Sequence, residues 1–318
     1  MVLRIGHLTK VYGKGAKGVR ANDDISLDVS AGEVVGLFGH NGAGKTTLLH
    51  QVIGLTMPTS GTISIDGKDV IADPAHARRA CSIQPQTHAS LGAVTPRQAI
   101  EMMARIRGAG RHRARQRTAE LIAGLELEPW ASKAGQQLSG GVLRLTTFCQ
   151  AAVEPGRVVM LDEPTNDVDP VRRRLLWRQI RALADAGCAV LLVTHGVTEA
   201  ERVVDRIAIL QSGRIVAQGT PARLRGGHDE RLRLELSAVS EAAAAALRPP
   251  SEMGDQMGMA VVGRRVVVTI AADKASAAVA WAQAERAAGT VEEFAINPAS
   301  LEDVYIGLTA DPKEPRDA

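Results

Sequence analysis

The chain has 318 residues, 45% hydrophobic and 23% charged, a balance that excludes a wholly disordered chain, a collagen-like repeat and a disulfide scaffold. At ~150 residues per domain, that length points to two domains or one large one. The 38 Lys and Arg against 35 Asp and Glu leave a formal +3, and aromatics are 3%, so neither charge nor rows of stacking rings argue for a nucleic-acid partner.

In chain order, alternation at Ile25, Leu27 and Val29 and the apolar run Val34-Val-Gly-Leu-Phe38 predict strands, followed by a glycine loop and a helix from Lys45. Gly61-Thr-Ile-Ser-Ile-Asp-Gly-Lys68 predicts a hairpin with Ile63 and Ile65 on one face and Asp66-Gly67 in the turn. A further short strand ends at Ile83, and from Pro96 to about Val153 the pattern is helical, with Ile100, Met103 and Ile106 at helical spacing. Strands return at Val158–Leu161, Ala189–Val193 and Ile207–Leu210 with helices between them, the order of a largely parallel sheet. Composition changes after Gly219, and Arg225-Gly-Gly-His-Asp-Glu230 reads as a linker. Beyond it come a strand (Leu232–Leu236), an Ala-rich helix (Glu241–Leu247), strands near Val261 and at Val266–Ile270, a helix (Lys274–Ala288), a strand (Val291–Ile296) and a final helix from Ala299. That βαββαβ order fits a small ferredoxin-like module, and Ala310–Ala318 is expected to be a disordered tail.

Cys81, Cys149 and Cys188 lie far apart with no CxxC pair, which offers no zinc spacing and suits a reducing compartment. The apolar run near Val190 is far shorter than the ~20 residues of a membrane span. The first residues lack a signal-peptide pattern, so a membrane role is expected to come through a partner.

Gly39-His-Asn-Gly-Ala-Gly-Lys45-Thr46 fits GxxxxGK[ST] directly after an apolar strand and at the start of a helix, the context of a phosphate-binding loop. Backbone N–H groups of such a turn point at phosphate oxygens and the helix N-terminus adds partial positive charge. Gly39, Asn41, Gly42, Ala43, Gly44, Lys45, Thr46 and Thr47 are therefore the expected nucleotide-binding set, with Lys45 reaching the β/γ-phosphates and Thr46 offering its hydroxyl to Mg²⁺. Asp162 and Glu163 end a buried strand that a parallel sheet brings beside that loop. Asp162 suits the metal and Glu163 suits polarising a water that attacks the γ-phosphate, whereas without the loop the pair would read equally well as a helix cap.

Gln86 after a strand, Leu138-Ser-Gly-Gly141 before a helix, Asp162-Glu-Pro-Thr165, Asn166-Asp-Val-Asp169 and Thr194-His195 form an ordered set. With the phosphate loop, it resembles the ATPase subunits of ATP-binding-cassette (ABC) transporters over roughly residues 1–219. The resemblance implies a P-loop NTPase of α/β class with an antiparallel β subdomain, a mainly parallel core sheet and a helical subdomain. The expected boundaries are 1–224 for this domain (helical subdomain about 87–155), 225–230 for the linker, 231–309 for the auxiliary α+β domain and 310–318 for the tail.

The same resemblance implies that Tyr12 stacks on adenine, that Gln86 senses the γ-phosphate, the metal and the membrane partner, and that His195 holds the γ-phosphate and the water. Ser139, Gly140 and Gly141 then bind the nucleotide of an opposite subunit, and Asp169 links the two sites. Taken singly, each of these residues reads as well as a strand end, a loop amide or a helix cap. The cofactors implied are ATP and Mg²⁺. The partners implied are a second ATPase subunit, identical or related, and a transmembrane permease on a separate chain, which places the protein at the cytoplasmic face of the cell membrane.

Two departures stand out: Val142 where the family usually has a polar residue or Met, and Gln150 where it has a basic one. They predict a weakened or asymmetric contact across the dimer, while the intact Lys45, Glu163 and His195 predict a competent ATPase. The Leu301-Glu-Asp-Val-Tyr305 segment resembles one in drug-exporting ATPases of the daunorubicin-resistance type, which favours export. An ABC ATPase acting on ribosomes or nucleic acid would carry a second cassette or a coiled-coil insertion, and a non-catalytic regulator would carry a defect at Lys45, Asp162 or Glu163. The arginine run Arg105–Arg117 reads as a solvated helix face or as a contact for lipid headgroups or the permease.

Overall fold

Leu3 and Ile5 alternate inward on strand β1 (Leu3–Tyr12), and a register shift around His7, at φ +49°, returns Leu8 to the same buried face. β1 pairs antiparallel with β2 (Val19–Val29) on one side. The chain then enters β3 (Val34–Phe38), apolar and wholly buried, and turns into α1 (Lys45–Val52). β4 (Ser60–Ile65) pairs with β1 and folds back on β5 (Lys68–Asp69) through Asp66 and Gly67, both at positive φ as a type I′ turn requires. The resulting sheet runs β2-β1-β4-β5 and buries Ile63 and Ile65 on the expected face. The computed structural model describes residues 1–13, 18–87, 90–225, 231–250, 253 and 258–298.

Helix α2 (Pro74–Ala80) is capped by the Asp73 carboxylate, with Pro74 at its first position, and leads into β6 (Cys81–Gln84). Three helices follow: α3 (Pro96–Ile106), opened by a Thr95/Gln98 capping box, α4 (Arg111–Gly124) and α5 (Gly140–Ala152). The chain continues through β7 (Val158–Asp162), α6 (Pro170–Asp185), β8 (Ala189–Thr194), α7 (Val197–Ala200), β9 (Arg206–Gln211) and β10 (Arg214–Gly219). These strands build a second sheet ordered β10-β9-β3-β8-β7-β6, parallel throughout except for β10. Side chains of both sheets meet in one apolar core. Strands covered on both faces read as unbroken apolar runs, which explains the sequences of β3, β7 and β8.

The chain divides into two compact units, residues 1–219 and 220–318. The second opens with α8 (Pro221–Arg225) and contains β11 (Arg231–Ala238), α9 (Glu241–Ala246), β12 (Gly258–Val262), β13 (Arg265–Ala271), α10 (Ala275–Ala287) and β14 (Val291–Pro298). Its sheet runs β12-β13-β11-β14, all antiparallel, which is the order of a ferredoxin-like split βαβ module. Leu234, Leu236, Val266, Val268 and Ile270 face Ala278, Trp281 and Ala282 in a core of its own. The helix expected from Ala299, the Leu301–Tyr305 segment, the 310–318 tail and most of the 225–230 linker lie outside the described residues.

Candidate functional site

The loop between β3 and α1 turns at Gly42 (φ +85°) and Gly44 (φ +105°), and at Gly44 a Cβ would stand 2.1 Å from the Ala21 carbonyl oxygen. Only glycine fits there, which brings the loop against β2. Lys45, 8% exposed, folds back so that its Nζ donates to the Gly39 and His40 carbonyls at 2.5 and 3.0 Å. Burial lowers the pKa of its ammonium, and the carboxylates of Glu163 and Asp162 oppose that shift.

Residues 41–47, Gln86, Asp162 and Glu163 line one cavity of about 430 Å³. Thr46 Oγ1 donates to Asp162 Oδ2 at 3.2 Å. Burial raises the Asp162 carboxyl above its ordinary pKa, the Thr46 hydrogen bond works against that, and the nearby Glu163 charge adds to it. Glu163 sits one residue past β7 at φ +50°, its N–H bonded to the Val193 carbonyl at 2.8 Å. His195 Nδ1 donates to Glu163 Oε1 at 2.9 Å, while Glu163 Oε2 is buried with no hydrogen-bond partner. An acceptor held by one oxygen and free at the other suits taking a proton from a water.

The remaining residues singled out in the sequence lie elsewhere. Gly39 does not line the cavity; it is the close contact at the loop's start, where a Cβ would meet the Leu210 carbonyl oxygen at 2.4 Å. Tyr12 is 44% exposed, with the Lys10 ammonium 4.9 Å from its ring centre, and pairs across the sheet with Val19, which does line the cavity. Ser139 caps α5, and Asp169 caps α6 through the N–H groups of Val171 and Arg172. Neither Ser139, Gly140, Gly141 nor Asp169 lines the cavity.

Sequence reasoning did not pick out Val19, Arg20, Ala21, Ser212 and Gly213 as cavity lining. Ser212 (φ +47°) and Gly213 (φ +81°) form the β9–β10 turn, whose Gly213 N–H bonds to the Ala43 carbonyl and whose carbonyl accepts from Asp23 N–H. The Ser-Gly pair between Ile207–Leu210 and Ile215 was the available signal. Within the arginine run, Arg107, Arg113 and Arg117 have protein partners. Arg107 donates to the carbonyls of Glu154, Cys81 and Arg79, Arg113 forms a bidentate pair with Glu154, and Arg117 bonds Glu120.

The model of the family described as ABC transporter matches residues 22–166. The daunorubicin/doxorubicin resistance ATP-binding protein of Streptomyces peucetius is 35% identical, the alignment covering 97% of this chain and 92% of that protein. The Nod factor export ATP-binding protein I of Burkholderia thailandensis is 39% identical over 64% of this chain and 66% of its own length. A solved ATP-binding subunit of an ABC transporter superposes with a TM-score of 0.65 at 29% identity, covering 71% of this chain and 93% of that one. No helix among the described residues is long and apolar enough to cross a membrane. A relative of this identity along nearly the whole of both chains establishes the family: the protein belongs to the ATP-binding subunits of ABC transporters, and it is an ATPase.

Proposed function

We propose that the protein is the motor subunit of an exporter, hydrolysing Mg·ATP at the interface of two ATPase subunits to drive a separate transmembrane permease at the cytoplasmic face of the membrane. One observation carries this reading. The phosphate loop, Asp162, Glu163 and Gln86 share a cavity that Ser139, Gly140 and Gly141 do not line. A helix N-terminus with its own backbone N–H groups is an anion site, and here it is left for the nucleotide of another subunit. Asp167 and Asp169 follow Glu163 in the chain, and the Asp167 turn lies against Gly140 and Gly141, which suits a link from one site to the other. The names of the relatives, one of drug resistance and one of export, support outward transport.

Thr46 and Asp162, with their oxygens 3.2 Å apart, suit Mg²⁺, which takes one or two protein oxygens and completes its shell with phosphate oxygens and water. When bound, the ion neutralises charge on the phosphoryl oxygens. Lys45 reaches the β/γ-phosphates by exchanging its carbonyl partners for phosphate oxygens. Glu163 Oε2 accepts from the attacking water, and His195 orients Glu163 through Oε1 and holds the γ-phosphate in place. Tyr12 stacks on the adenine over the Val19 edge. Gln86 reports nucleotide state to the permease, whose docking suits a second cavity of about 440 Å³ lined by Cys81, Pro85, Leu91, Met103, Thr147 and Gln150.

The test is to purify the tagged chain from its native membrane, identify its companions by mass spectrometry, and measure Mg·ATP hydrolysis beside Glu163→Gln. A polytopic companion and a fall in turnover of at least ~100-fold in the variant are expected. Companions drawn from ribosomes, or turnover that does not depend on Glu163, would overturn the reading.

A further inference from the structure

Helix α5 departs from the family's pattern, and it carries a residue to which no role has been given. Arg144 is 5% exposed, a burial that a guanidinium accepts only with partners. Its Nη1 donates to the Gln86 carbonyl at 2.5 Å and reaches the Pro85 carbonyl at 3.5 Å, and its Nη2 stands 4.0 Å from Asp167 Oδ2. Its own backbone carbonyl accepts from Nε2 of the fully buried Gln84 at 3.2 Å. One residue therefore grips the segment leaving β6 at both ends, from Gln84 to Gln86. One turn earlier on the helix, a Cβ at Gly141 would stand 2.3 Å from the Asp167 carbonyl oxygen, so the α5 N-terminus is seated directly on the Asp167 turn.

We infer that Arg144 is a positioning residue that ties Gln86, the α5 N-terminus bearing Ser139 and Gly141, and the Asp167 turn into one rigid group. The inference rests on the reading that Ser139 and Gly141 complete a second subunit's site. Gln86 lines the nucleotide cavity and Arg144 does not, so Arg144 acts on the nucleotide only through the group it holds together. The guanidinium is suited to this task because its N–H groups lie in a fixed plane and serve partners on two sides at once. A lysine at this position would hold one carbonyl and leave Asp167 unbridged. A shift of Gln86 on nucleotide binding is thereby carried to the surface that meets the second subunit, through two discrete contacts.

The test uses the full chain in a Glu163→Gln background, where ATP is bound without turnover. Pairing is followed by light scattering as ATP is added, and binding of a fluorescent ADP reports the phosphate loop alone. The parent is expected to pair. Adding Arg144→Ala is expected to raise the ATP needed for half-maximal pairing by ~10-fold, with ADP affinity within ~2-fold of the parent. Arg144→Lys restores part of the loss, and Asp167→Asn, which alters an exposed side chain, shifts pairing in the same direction by less. Should Arg144→Ala not fold, Arg144→Lys and Asp167→Asn carry the comparison. A parent that never pairs overturns the reading in which two copies of this chain complete the site, and this inference with it. A parent that pairs while Arg144→Lys and Asp167→Asn pair at the parent's ATP concentration overturns this inference alone. Pairing, ADP affinity and melting temperature falling together in Arg144→Ala would reduce Arg144 to packing and overturn it too.

Discussion

Burying Asp162 beside Glu163 disfavours its charge, and the stability of the fold depends on pH accordingly. The Asp162 pKa lies above its ordinary 3.8 because burial outweighs the Thr46 hydrogen bond. Between that ordinary value and the raised one, the folded chain holds a proton the unfolded chain has released. The stability from that proton is complete below the unfolded pKa and is lost as pH rises through the folded one. At neutral pH the ionised carboxylate is therefore a burden on the nucleotide-free fold. Asp162→Asn is expected to raise the melting temperature there by ~2 °C, with a smaller gain as the medium approaches about pH 4. The same variant is expected to lose at least ~100-fold in turnover, because the carboxylate proposed to hold Mg²⁺ is gone. Melting curves from about pH 4 to about pH 8, run beside an ATPase assay, check both, and a lower melting temperature at neutral pH would show that the Thr46 hydrogen bond outweighs burial.

Among elements, the N-terminus of α5 separates two adjacent glycines by what surrounds them. At Gly140 the nearest neighbour of an added Cβ is the Asp167 Cβ at 3.8 Å, ordinary contact, whereas at Gly141 it is a backbone oxygen at 2.3 Å. Gly140→Ala is expected to leave the melting temperature unchanged or slightly raised. Gly141→Ala is expected to lower it by ~5 °C, since overpacking against backbone costs about 1–3 kcal/mol. Equal melting temperatures for the two variants would contradict the close approach. The sequence made β3, β7, β8 and the phosphate loop legible because apolar runs and glycine spacing are local signals. The Asp66-Gly67 hairpin was legible from its dipeptide alone. Arg144 was not, because nothing local distinguishes a buried guanidinium holding Gln86 from one on a solvated helix face. The lining by Val19, Arg20 and Ala21 was hidden for the same reason: it depends on Gly44 meeting Ala21, a contact across more than twenty residues of chain.

Across the whole molecule, residues 1–219 and 220–318 each enclose a separate apolar core. Calorimetry of the full chain is therefore expected to resolve two transitions, and Mg·ATP is expected to raise only the one belonging to the nucleotide-binding unit. A single transition that shifts as a whole would show that the two cores melt as one. Within the first unit, Asp162 lies opposite Val193 in the β7–β8 pairing, and the next residue's N–H, that of Glu163, bonds to the same Val193. His195, two residues further along that strand's exit, reaches Glu163 because the two strands are in this alignment and no other. A slip of one residue between β7 and β8 would turn each side chain to the opposite face of the sheet. With Glu163 and His195 in the roles proposed for them, their pairing acts as a checkmark on correct assembly: a chain paired one step out would leave ATP unspent, so misfolded copies would be silent passengers and not a drain on the cell's nucleotide.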